Sequence, residues 1–139
     1  MTLLKRSFIS HLIISISLYV FFALLDIFFT LKGVHGDIAI EGNPIMRYMM
    51  ANFGLMGGLV VEKSLVLLLA TTVAIASVIG IEKEADWVYY LAFTRVTRDW
   101  MKRKKRYWVA FLPLYLVAFS QGLAAASWAH LMVENKAFF

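Results

Sequence analysis

The chain has 139 residues, 61% of them hydrophobic and 17% charged, with a formal net charge of +5 and no cysteine. An apolar share this large exceeds the ~45–50% of a soluble globular domain and points to a membrane protein. The missing cysteine excludes disulfides, thiolate metal sites and cysteine nucleophiles. The segments between apolar runs are too short for a second domain, so residues 1–139 read as a single membrane domain.

Three stretches, Ser7–Leu25, Ser64–Ile81 and Tyr107–Val133, contain no Asp, Glu, Lys or Arg. Each is long enough to cross a hydrocarbon core of ~30 Å as a helix. The expected fold is therefore an all-α membrane protein with three transmembrane helices, over about 8–31, 54–81 and 107–133. The first span follows Lys5-Arg6 and resembles a signal peptide at its start. Its apolar run to Leu31 outlasts a signal core of ~7–15 residues, and bulky Phe21-Phe22 and Ile27–Phe29 make a poor cleavage site. It reads as a retained anchor. Within it Ser15, Tyr19, Asp26 and Thr30 share one helical face. Hydrogen bonding to backbone or neighbouring helices accounts for the Ser and Tyr; an acid at membrane depth needs a partner, a wet cavity or a function.

The loop 32–53 begins with Gly33 and Gly36, read as helix breakers, and continues to Glu41-Gly-Asn43-Pro44. Asn43 suits an N-cap and Pro44 a first helical turn, so Pro44–Asn52 is expected as a short helix on the outer face. Its methionines read as packing residues, since thioethers bind copper(I) mainly with Cys or His. In span two, Gly54-x-x-x-Gly58 and Ala70-x-x-x-Ala74 form a small-residue seam that permits close helix approach. Lys63 shares the face of Ala70, Ala74 and Ser77 and is expected to point into protein. Glu62, one residue round, is left to a neighbouring subunit or the membrane interface.

Between spans two and three lies a basic loop, 82–106. Trp87–Trp100 has the stripe of an amphipathic cytoplasmic helix, Tyr89, Phe93, Val96 and Trp100 opposite Arg95, Arg98 and Lys102; Arg103, Lys104, Lys105 and Arg106 follow. This patch fits contact with anionic lipids. No recognition motif accompanies the charges, so nucleic acid is not expected as a partner. With Lys5 and Arg6, these charges place the N-terminus in the cytoplasm and the C-terminus outside, in an inner membrane. Span three carries Gln121 near its middle, the small residues Ala118, Gly122, Ala125, Ala126 and Ala129, and Ser120, Ser127 and His130 towards one side.

Three spans bring Asp26, Thr30, Glu41, Asn43, Glu62 and Lys63 to one end of the bundle, with Gln121 and His130 as accessories. The expected core is an ion pair of Asp26 with Lys63, held by hydrogen bonds from Thr30 and Asn43, with Glu41 as a second carboxylate for the lysine. Asp26-x-x-x-Thr30, Glu41-Gly-Asn43-Pro44 and Lys63 in the next span resemble a family of small bacterial and archaeal membrane proteins, domain of unknown function 5658. The similarity runs over about Leu24–Leu69. It implies a multi-span protein in which these five residues matter, and it brings no agreed activity, cofactor or ligand.

Three functions fit these residues. The leading expectation is an accessory or assembly subunit of a homo-oligomer or larger membrane complex, because buried ion pairs are often architectural. The alternative is binding or transport of an ion, a proton or a small polar ligand at the cluster. The third is a membrane-embedded hydrolase or metalloenzyme using the same carboxylates. No H-x-x-x-H, paired-Asp or G-x-S-x-G motif supports the third, and no metal ligands are assigned.

Overall fold

The computed structural model describes residues 3–83, 85 and 107–134, with residues 3–7 as backbone only. All regular structure in these residues is helical: α1 Leu3–Val34, a 3-10 turn Ile38–Ile40, α2 Pro44–Phe53 and α3 Leu55–Glu82, then a 3-10 turn Tyr107–Phe111 leading directly into α4 Leu112–Glu134. Phe8–Val34, Leu55–Glu82 and Tyr107–Glu134 are each long and apolar enough to cross a membrane. The protein is a small integral membrane protein, with three such spans among the described residues. The expected amphipathic helix at Trp87–Trp100 and the basic patch from Arg95 to Arg106 lie outside the described residues.

The boundaries follow from local chemistry. Asn43 Oδ1 accepts hydrogen bonds from the N–H groups of Ile45 at 3.0 Å and Met46 at 3.5 Å, and Pro44 occupies the first helical position, so α2 starts where N-cap chemistry dictates. One residue, Gly54, separates α2 from α3. Its φ of 77° and ψ of 162° belong to a region open essentially to glycine, so it forms the corner between the two helices. Gly33 behaves differently from expectation. It stays inside α1, and the chain leaves the helix at Val34, with His35 (φ 46°) and Gly36 (φ 85°) in left-handed conformations. The reason is packing: a Cβ at Gly33 would run into the Trp128 ring of α4, so this glycine admits a neighbouring helix.

α1 and α4 run parallel and make the most extensive helix contact, from His11 against Tyr115 through Phe22 against Gly122 to Gly33 against Trp128. α3 runs antiparallel to both, since Lys63, near its start, meets Tyr19 and Asp26 in the second half of α1. Lipid is as apolar as leucine, so close packing and polar contacts hold such a bundle. The small residues Ala70, Ala74, Ala118 and Ala125 are buried accordingly, while leucines such as Leu24, Leu68, Leu69 and Leu116 face outward. α2 folds back onto α3. Its Met46 and Met50 bury against Leu59, and Gly58 lies so close to the backbone of Met49 and Met50 that no side chain fits between. The expected close approach at Gly58 is therefore made by α2.

Candidate functional site

Two apolar clusters bracket a polar layer. On one side Tyr19, Ala23 and Ala118 pack at mid-bundle; on the other Met46, Met50 and Leu59 seal α2 onto α3. Between them Asp26 and Thr30 of α1, Lys63 of α3 and Gln121 of α4 are all buried. Asp26 precedes the end of α1 by eight residues and Lys63 follows the start of α3 by eight. At ~1.5 Å per residue both stand about 12 Å inside their helix ends. That common depth, reached from opposite directions, makes their meeting possible.

Lys63 Nζ lies 2.6 Å from Asp26 Oδ2 and 3.1 Å from Glu62 Oε2. Thr30 Oγ1 donates a long hydrogen bond of 3.5 Å to Asp26 Oδ1, one helical turn away. Tyr19 Oη donates 2.8 Å to the Lys63 carbonyl, tying α1 to the backbone that carries the lysine. The expected Asp26–Lys63 pair is thus present, with two corrections to its surroundings. The second carboxylate on Lys63 is Glu62, which belongs to this chain's own site and needs no neighbouring subunit to explain it. Glu41 instead receives the Asn43 N–H on Oε1 at 2.8 Å, while the Asn43 side chain caps α2. Glu41 and Asn43 therefore shape the turn over the site, and Asn43 does not hold the ion pair.

These groups surround a cavity of about 310 Å³, lined by Asp26, Thr30, Glu41, Asn43, Glu62 and Lys63 together with Met46, Ser120, Gln121, Ala124, Ser127 and Trp128. Gln121 is 8% exposed and its Oε1 takes no hydrogen bond. Glu62 Oε2, although near the ammonium, also lacks a directed hydrogen bond. His130 is the accessory that does not join. It lies on the outside of α4, 70% exposed, 3.4 Å from Glu134 one turn on. Reading Ser120, Ser127 and His130 as one side of α4 overlooked helical phase: ten residues at 100° each turn His130 about 80° away from Ser120.

Sequence reasoning missed Trp128 and Ala124 as walls. The signal was available in the spacing of Gln121, Ala124 and Trp128, three and then four residues apart along one face of α4. Among the described residues no three His, Asp or Glu side chains come together in a group able to hold a metal ion. Asp26 and Glu62 share Lys63, while Glu41 is engaged with the backbone of its own turn.

Compared with known proteins, residues 17–131 match the model of a family described as a domain of unknown function, DUF5658. The chain belongs to this family. The match extends well beyond Leu24–Leu69 and takes in α4 as far as Leu131, so every residue that lines the cavity, including Gln121 and Trp128, lies within the DUF5658 region. No curated protein and no solved structure matches the chain.

Proposed function

We propose that this protein binds a small polar solute in the half-open cavity bounded by α1, α3, α4 and the turn before α2. The observation that carries this reading is the Gln121 side chain. It is nine-tenths buried at membrane depth, lines the cavity and leaves its carbonyl oxygen without a hydrogen bond. An unmade hydrogen bond on a buried polar group costs about 1–3 kcal/mol, and a leucine there would avoid that cost. A purely architectural cluster would gain nothing from this arrangement, whereas a ligand site needs an acceptor kept vacant. The volume lies at the lower end of the ~300–1,000 Å³ typical of small-molecule pockets.

Thermal unfolding of the detergent-purified protein against a panel of small cationic, anionic, zwitterionic and neutral solutes tests the reading. At least one class raises the melting temperature of the wild type and leaves Gln121→Leu unmoved. If no class stabilises the wild type, solute binding is wrong.

An accessory role in a homo-oligomer or larger complex is the second reading. It is supported by how little of each span is covered: 22%, 28% and 39% of the residues in the respective apolar windows are buried within the chain. Cross-linking in native membranes, with a monomer as the refuting result, tests it. The charge pattern also supports an inner-membrane protein with a cytoplasmic N-terminus, the cavity lying in the outer leaflet and the basic loop against anionic lipid. Because the chain has no cysteine, single cysteines introduced at the exposed His35 and at position 104 allow clean labelling from either side; position 35 labelling only from the cytoplasm contradicts this orientation.

A further inference from the structure

We infer that the solute is a small organic ammonium compound, a conclusion that rests on the cavity being a binding site. Among the described residues three carboxylates line it, from Asp26, Glu41 and Glu62, against the one ammonium of Lys63, leaving two formal negative charges without a counter-charge in that lining. The hydroxyl groups sharpen the asymmetry. Ser120 donates its proton to the Val117 carbonyl at 2.8 Å, Ser127 donates to Ala124 at 2.7 Å, and Thr30 donates to Asp26. Each hydroxyl spends its single proton within the protein and can offer the cavity only lone pairs.

The two buried oxygens without a directed hydrogen bond, Glu62 Oε2 and Gln121 Oε1, are likewise acceptors. A site in which three carboxylates share one ammonium, Glu62 Oε2 has only its 3.1 Å ion-pair contact with Lys63, and Gln121 Oε1 is unbonded is complementary to a cation that donates several hydrogen bonds. Trp128 adds an aromatic wall, a surface that attracts organic cations. Size separates the kinds of cation. At ~30 Å³ per water molecule, the cavity has room for roughly ten waters, far more than a bare sodium or potassium ion occupies. An alkylammonium of several heavy atoms fits the space, the charge and the aromatic wall together.

Isothermal titration of the full-length protein in nanodiscs, at constant ionic strength, tests the assignment with n-butylammonium, 1,4-diaminobutane, n-butanol, butanoate, sodium and potassium. The ammonium compounds bind saturably; the alcohol and the carboxylate do not. Glu62→Gln keeps the shape and removes one charge, and weakens ammonium binding about tenfold or more, the loss expected for one charge-assisted hydrogen bond. Gln121→Leu abolishes binding. Should that variant misfold, judged by its elution profile, Ser120→Leu tests the site separately by narrowing the cavity from α4. Saturable binding of butanol or butanoate in place of the ammonium compounds overturns the ligand class while leaving the cavity a binding site. Binding of sodium or potassium alone overturns the organic assignment. Ammonium binding that survives both Gln121→Leu and Ser120→Leu places the ligand elsewhere and overturns the inference, and no binding of any solute overturns the site itself.

Discussion

Replacing Lys63 by methionine keeps most of the aliphatic stem and removes the ammonium that two carboxylates share. Nζ stands 2.6 Å from Asp26 and 3.1 Å from Glu62, and the residue is 7% exposed. Without it, two acids face one another in a low-dielectric layer about 12 Å inside the helix ends. Removing one partner of a buried pair costs about 3–5 kcal/mol. An unpaired charge on a membrane helix costs about 2.5–3.5 kcal/mol by itself, so the two routes to the magnitude agree. Lys63→Met is therefore expected to lose about 3–5 kcal/mol in an equilibrium unfolding titration with sodium dodecyl sulfate in mixed micelles.

Pairwise repair then distinguishes this site from a simple ion pair. Asp26→Asn added to Lys63→Met recovers only part of the loss, because Glu62 still lacks its cation. Adding Glu62→Gln as well recovers most of the remainder, since three neutral groups carry no uncompensated charge. A Lys63→Met variant within about 1 kcal/mol of wild type would refute the reasoning. Full recovery already in the Asp26→Asn, Lys63→Met double variant would show that Glu62 is energetically uncoupled.

The same titration tests the glycines of α3. Gly58→Ala is expected to lose about 1–3 kcal/mol because its Cβ meets the backbone of Met49 and Met50, which has nowhere to move. Gly57→Ala, whose Cβ would lie 3.4 Å from Phe53 Cβ, is expected to be neutral or to gain up to ~1 kcal/mol of helix propensity; equal losses at both positions would mean that α2 is not seated there. Asn43→Ala removes the acceptor for the Ile45 and Met46 N–H groups and is expected to lose about 0.5–2 kcal/mol. Hydrogen exchange at those two amides should accelerate, and unchanged exchange would argue against the cap. Tyr19→Phe removes the donor to the Lys63 carbonyl and is expected to lose about 1 kcal/mol while leaving the helical circular dichroism intact.

Much of the site could be read from the chain because a membrane makes charge informative. Asp26 and Lys63 stand out against apolar surroundings, and their equal distance from the ends of antiparallel helices predicts that they meet. The N-cap at Asn43 is a local property of Asn-Pro and needs no tertiary context. Residues whose role depends on rotation about a helix axis were harder to assign. Glu62 and Lys63 are neighbours in sequence about 100° apart on α3, yet both reach the cavity because long side chains can bend towards one another. His130 lies on the right helix near the right end and still faces away, 3.4 Å from Glu134. Gly33 looked like a stop signal because glycine commonly ends helices; its role depends on a tryptophan 95 positions away in the sequence.

Hydropathy, charge spacing and capping residues alone determined that this is an all-helical membrane protein, with three apolar spans and an acid–lysine pair at one depth. Those properties depend on the solvent surrounding each segment and on bonds between near neighbours, so composition and period suffice to reveal them. The cavity was decided only by tertiary structure: the parallel contact of α1 with α4, α2 folded back over Gly58, and Gln121 turned inward with its oxygen unbonded. A cavity is a property of the gaps between helices, and a gap has no residue of its own in the sequence.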